Sequence, residues 1–134
     1  MRVVADTNVL LRVIVYDEPR QARTAEHAIQ SAEFVAITSA TFCELGWVLS
    51  SVYGYSRNEI AKTFRGFLDA ENVLMDRASA EAGLAMLDAG GDFADGVIAF
   101  EGRRLGSETF VSFDRQAVRL LKAAGAEARL LQPS

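Results

Sequence analysis

Residues 2–18 read Arg-Val-Val-Ala-Asp-Thr-Asn-Val-Leu-Leu-Arg-Val-Ile-Val-Tyr-Asp-Glu, and the break at Asp6 decides the fold. The run before it is β-branched and uninterrupted after Arg2, as in a strand buried on both faces. The run after it, 8–16, reads as a helix. The same alternation continues along the chain. Strands are expected at 2–5, 34–38, 72–75, 109–113 and 127–131, and helices at 8–16, 19–31, 39–53, 57–70, 78–89, 93–105 and 115–124. Pro19 suits the first turn of its helix. Ser39 and Ser56 are candidate N-caps, with Glu59 placed to complete a capping box with Ser56. Gly125 follows the last helix as a C-terminal glycine should. Strand–helix alternation throughout defines an α/β class with a mainly parallel sheet.

The chain has 134 residues, half of them apolar. That suits one domain over 1–134, burying roughly 68% of the surface its unfolded chain would expose. There is no internal repeat or linker, and Gly90-Gly91 reads as a turn. Charges interrupt every apolar stretch before it reaches the length of a membrane span. Asp6 also breaks the N-terminal apolar run where a signal peptide would need continuity, so a cytoplasmic protein without membrane attachment is expected. Cys43 and His27 are the only residues of their kinds, which excludes a disulfide framework and polyhistidine or cysteine-cluster metal sites. His27, in a polar helical stretch, reads as a solvated surface residue. The net charge of −4 argues against binding nucleic acid through bulk positive charge. It leaves room for a protein that reaches nucleic acid through a bound cation and a few arginines, and only Lys62 and Lys122 are lysines.

In a parallel α/β sheet, functional groups gather beyond the carboxyl ends of the strands. Asp6 ends the first strand and Asp114 the fourth; each is also explained as a helix N-cap. Asp76 likewise ends a strand and precedes a helix. Glu44 is the only charge between Phe34 and Ser56, with Ala40, Thr41, Trp47 and Val48 one turn away on its helix. A carboxylate on an apolar face costs desolvation energy unless paired or coordinated. The alternatives are burial against an arginine or exposure on a helix whose other faces pack. Asp92 and Asp95 stand one turn apart; capping accounts for Asp92, and dipole compensation is the plain explanation of Asp95. If Asp6, Glu44, Asp95 and Asp114 converge, their mutual repulsion calls for a hard cation with oxygen ligands, Mg²⁺ or Mn²⁺ rather than zinc.

The stretches ADTNVLLR (5–12), FCEL (42–45), DFADGVIA (92–99) and TFVSFD (109–114) resemble the PIN-domain nucleases, and more narrowly the VapC toxins of bacterial toxin–antitoxin pairs. The resemblance covers essentially the whole chain. It implies a PIN-like three-layer α/β/α fold with a five-stranded, mainly parallel sheet. It also implies Mg²⁺-dependent endoribonuclease activity on structured RNA such as tRNA or rRNA. Catalytic and metal-binding acids map onto Asp6, Glu44, Asp95 and Asp114, with Asp92 an accessory acid. Ser112 stands where the family usually has Thr. The strand leading to Asp76 belongs at the sheet edge, away from the acids. The implied partners are a second copy of the chain and a VapB-type antitoxin that holds the toxin inactive, operator DNA being reached only through the antitoxin.

On this basis a metal-activated water attacks an RNA phosphodiester. Asn8 and Ser112 are placed to hydrogen-bond the carboxylates. Arg12, Arg103, Arg104 and Arg115 are the nearest candidates for gripping phosphate, each also explained as solvated or ion-paired. Ile60, Phe64, Phe67 and Leu68 form a stripe that reads as core or, with Trp47, Tyr53 and Tyr55, as a docking surface for antitoxin or dimer. A receiver-type phospho-acceptor domain would need a lysine late in the sheet, whereas Lys62 and Lys122 lie in expected helices. A haloacid-dehalogenase phosphatase would need an acid where Asn8 stands. A catalytically silent PIN-fold RNA- or protein-binding module is the remaining alternative.

Overall fold

In the computed structural model, which describes residues 1–133, every expected strand and helix is present. The order is β1 (Arg2–Val4), α1 (Thr7–Val15), α2 (Pro19–Ser31), β2 (Phe34–Ala36), α3 (Ser39–Ser51), α4 (Arg57–Asp69), β3 (Val73–Leu74), α5 (Arg77–Asp88), α6 (Phe93–Arg104), β4 (Phe110–Ser112), α7 (Arg115–Ala123) and β5 (Ala128–Leu130). The chain is an α/β protein, and among the described residues every strand pairing is parallel. It forms two compact units, Met1–Arg77 and the chain from Ala78 onward.

In the first unit the strand order is β1-β2-β3. Val3 pairs with Val35, and Val35 with Val73. Helical crossovers connect these parallel strands, as parallel pairing requires. The core holds Leu10, Val35, Ile37, Phe42, Leu45, Leu49 and Phe64, all at most 1% exposed. Phe42 and Phe64 meet edge to face at 5.1 Å, with Phe67 at 6.4 Å from Phe42. The stripe on α4 is therefore core: Ile60, Phe64 and Leu68 are buried and present no groove to a partner. β3, which leads to Asp76, lies at the ladder edge remote from β1, where the resemblance put it.

Ser56 caps α4 as expected. Its Oγ accepts the Glu59 N–H at 3.1 Å, and Glu59 Oε1 accepts the Ser56 N–H at 2.9 Å. Those bonds hold the exposed Glu59 carboxyl below its ordinary value. Ser56→Ala should cost about 1 kcal/mol in unfolding free energy, measured by denaturant titration. Ser39 is not a cap: it is the first residue of α3, and Thr38 Oγ1 accepts the Thr41 N–H instead.

In the second unit β4 and β5 pair with Phe110 opposite Ala128. Helix α7 packs on both strands, and Met86, Leu120 and Leu121 form a small core with Phe110 and Ala128. Gly96 lets α6 approach α5 closely, because a β-carbon there would run into the Ala82 carbonyl oxygen. Gly125 ends α7 at φ +91°, a conformation side chains resist. The strands are shorter than expected, and β1 and β4 are not buried on both faces. Val4 and Val111 are 66% and 53% exposed, and each strand is the edge of its ladder among the described residues.

Candidate functional site

In the first unit, β1 delivers Asp6 to the start of α1. Asp6 takes the extended conformation of an N-cap, and its Oδ1 accepts the Val9 N–H at 3.1 Å. Capping is thus real, but it uses one oxygen. Among the described residues Oδ2 accepts no hydrogen bond from the protein and is open to a cation.

Glu44 corrects the expectation of a carboxylate forced onto an apolar face. It is exposed, as are Ala40 and Trp47, while Phe42, Leu45, Gly46 and Leu49 carry the buried face of α3. Of its neighbours one turn away, Ala40 and Trp47 are exposed, and Thr41 and Val48 are half-buried. Asp6 and Glu44 line one cleft of about 570 Å³, together with Asn8, Arg12, Thr41 and Tyr53. Asn8 is exposed there. Arg12 does not neutralise the cleft acids; its Nη1 bonds Asp17 Oδ1 at 2.7 Å. Tyr53 donates its hydroxyl to the other Asp17 oxygen at 3.4 Å.

The second unit holds the other acids. Asp114 caps α7, with Oδ1 accepting the Gln116 and Ala117 N–H groups at 2.9 and 3.2 Å. As with Asp6, capping occupies one oxygen only. Ser112 Oγ accepts the Asp114 backbone N–H at 3.0 Å, so this hydroxyl fixes the turn rather than the carboxylate. Asp92 stands at the N-cap position of α6 but makes no side-chain cap bond, contrary to the capping expected of it. Asp95, in the first turn of α6, is half-buried. Burial pushes its carboxyl above the ordinary value, and the charges of Asp92 and Asp114 push it further.

Gln116 was not legible as part of this arrangement. Its Nε2 donates to the Gly90 carbonyl at 2.9 Å, tying the start of α7 to the turn before Asp92. Asp17 and Thr41 were missed as well, because nothing in their local sequence points to the cleft. Of the four candidate arginines, Arg103 and Arg115 are exposed, Arg104 lies over the Phe100 ring at 4.7 Å, and Arg12 lines the acidic cleft. His27 is exposed, as read from sequence.

Among the described residues no three His, Cys, Asp or Glu side chains stand together as a ready cation cage. The donor chemistry nevertheless fits a hard divalent ion. Every candidate ligand is a carboxylate, two caps leave an oxygen free, and the charge crowding at Asp95 is what a cation relieves.

The PIN domain family matches residues 3–123, and the chain belongs to that family. PIN domains are generally nucleases, a class of hydrolase, and they typically bind divalent metal ions. The search of curated proteins found no match. Among the described residues no helix is long and apolar enough to cross a membrane.

Proposed function

We propose that this PIN domain is a metal-dependent endoribonuclease and acts as the toxin of a VapBC-type pair, with tRNA or rRNA as its target. Membership of the PIN family carries the proposal. Its support within the chain is an acid at each position where the motif calls for one: Asp6 after β1, Glu44 in α3, Asp95 in α6 and Asp114 after β4.

Those four residues would hold Mg²⁺ or Mn²⁺. When bound, the ion supplies a water acidic enough to ionise near neutral pH and neutralises charge on the phosphate. Asp6 and Asp114 are aimed by their own helix starts, since the N–H groups that each carboxylate caps fix its rotamer. Asp95 sits where charge is crowded and partly desolvated, so it gains most from a cation. Glu44 is exposed in its cleft and free to orient the attacking water. Because water attacks, the 2′-hydroxyl takes no part and the product carries a 5′-phosphate.

The antitoxin is proposed to place an arginine among the carboxylates, where a guanidinium bridges two of them. Burial of Phe64 removes the α4 stripe as its docking surface, whereas Trp47 on α3 stays 68% exposed. A homodimer is part of the same proposal, and DNA is contacted only by the antitoxin. The test is purified chain on total cellular RNA, with Mg²⁺ or with EDTA, followed by mapping of new 5′-ends. Discrete 5′-phosphate ends that need Mg²⁺ are expected. Intact RNA in Mg²⁺ would favour a silent RNA- or protein-binding module.

A further inference from the structure

We infer that Arg12 is the phosphate-gripping residue of this site, held in place by Asp17 and Tyr53; the inference rests on the nuclease reading and deepens it. Arg12 emerges from α1 about 1.7 turns beyond Asp6, and its side chain is only 20% exposed. It lines the same cleft as Asp6 and Glu44 yet bonds neither of them. Among the described residues its side chain has one partner, Asp17, reached through Nη1 at 2.7 Å. A guanidinium has five N–H donors in a fixed plane. One is spent on Asp17, which leaves the rest of the fork for an anion.

Three features fix that fork. Tyr16 ends α1 in the left-handed region, at φ 60°, where Gly is the usual residue. Its N–H still bonds the Arg12 carbonyl at 3.2 Å, and the turn brings Asp17 back beside Arg12. Tyr53, from the turn just beyond α3, bonds the second oxygen of Asp17 and so braces it from the other side. Such strain at a non-glycine residue persists only where surrounding contacts hold it, and it concentrates at functional sites. The cleft therefore has a carboxylate end suited to a cation and a guanidinium end suited to an anion. A metal-bound phosphodiester would offer a partner to each end. Asp17 and Tyr53 are positioning residues, acting on substrate only through Arg12.

The rival role for the Arg12–Asp17 pair is a staple that closes the α1–α2 connection. Binding of a short fluorescent single-stranded RNA, with Ca²⁺ replacing Mg²⁺ to hold off cleavage, separates the two across a range of salt concentrations. Each phosphate contact on a single strand contributes about 0.7 to the slope of log affinity against log salt. Arg12→Ala should weaken binding about tenfold and flatten that slope by about 0.7. Asp17→Asn and Arg12→Lys should keep the slope, because the charge remains, while raising KM in Mg²⁺ with kcat little changed. Tyr53→Phe should act in the same direction, more weakly.

A wild-type slope in folded Arg12→Ala, with melting temperatures lowered equally in Arg12→Ala and Asp17→Asn, would establish the staple and overturn the inference. Cleavage by the wild type would in that case leave the nuclease reading standing. A wild-type chain that neither binds nor cuts RNA would remove that reading and this inference together. Because Arg12→Ala deletes a mostly buried side chain, Arg12→Gln provides a second neutral variant if the alanine form does not fold, and the same flattened slope is required of it.

Discussion

Asp95→Asn should abolish RNA cleavage and yet make the metal-free protein more stable near neutral pH. Residues that merely hydrogen-bond a metal ligand already cost about 10–100-fold when lost, so removal of a ligand should cost more than about 100-fold. The stability effect has a separate origin. Burial, and then the charges of Asp92 and Asp114, hold the Asp95 carboxyl above its ordinary value of 3.8. A group with a raised folded pKa favours the native state while protonated. That contribution is complete below the unfolded pKa and is lost as pH rises through the folded one. At neutral pH ionised Asp95 is therefore a net burden on the metal-free fold, and Asn at 95 carries no such charge. Thermal unfolding of both proteins in EDTA, from about pH 3 to 8, reads the effect across the carboxylate range. The advantage of the variant should be largest at neutral pH and fade as the solution is acidified. Adding Mg²⁺ should raise the wild-type melting temperature by mass action and leave the variant much less affected. A variant less stable than wild type at neutral pH in EDTA would show that Asp95 is a structural helix-start residue and not a site acid. In cells, the wild-type chain expressed alone should arrest growth, and Asp95→Asn should relieve the arrest.

Asp6 supplies the second large effect, because its capping and its proposed ligand role use different oxygens. Asn caps about as well as Asp, so Asp6→Asn should change metal-free stability by no more than the charge–dipole contribution, about 0.3–1 kcal/mol. Asp6→Ala also deletes the bond to the Val9 N–H and should cost about 1 kcal/mol, within a range of about 0.5–2. Cleavage should fall by more than about 100-fold in both, regardless of that difference in stability. Paired measurements of denaturant midpoint and cleavage rate distinguish the roles. If the Asn variant keeps wild-type cleavage while the Ala variant loses activity only in proportion to its stability, Asp6 is a cap alone and the metal assignment fails with it.

Several features of this protein follow from its sequence by itself. Alternation of short β-branched runs with helical stretches sets the α/β class, because each pattern can bury its apolar side in only one kind of element. Helix starts at Asp6, Ser56 and Asp114 are local events, decided by a side-chain oxygen within three residues of the N–H it accepts, and all three were legible. The acids themselves were found because charges stand out where apolar residues surround them in the chain.

Their environments were decided only by tertiary structure. From sequence Glu44 was open to burial or exposure, because its neighbours one turn away are apolar; the side of α3 that packs is the one bearing Phe42, Leu45 and Leu49, and Glu44 is exposed. The stripe on α4 was open to two readings until Phe42, from another helix, was found against Phe64 and Phe67. Asp95 reads as an ordinary first-turn acid; its raised pKa depends on burial and on Asp114, which lies 19 positions along the chain. The Arg12–Asp17–Tyr53 bridge and the Gln116–Gly90 bond join residues with no periodic relation. Local propensity fixes which backbone conformation a residue adopts. Which carboxylates feel one another, and which arginine faces them, depends on distances between elements, and those are set only when the elements pack.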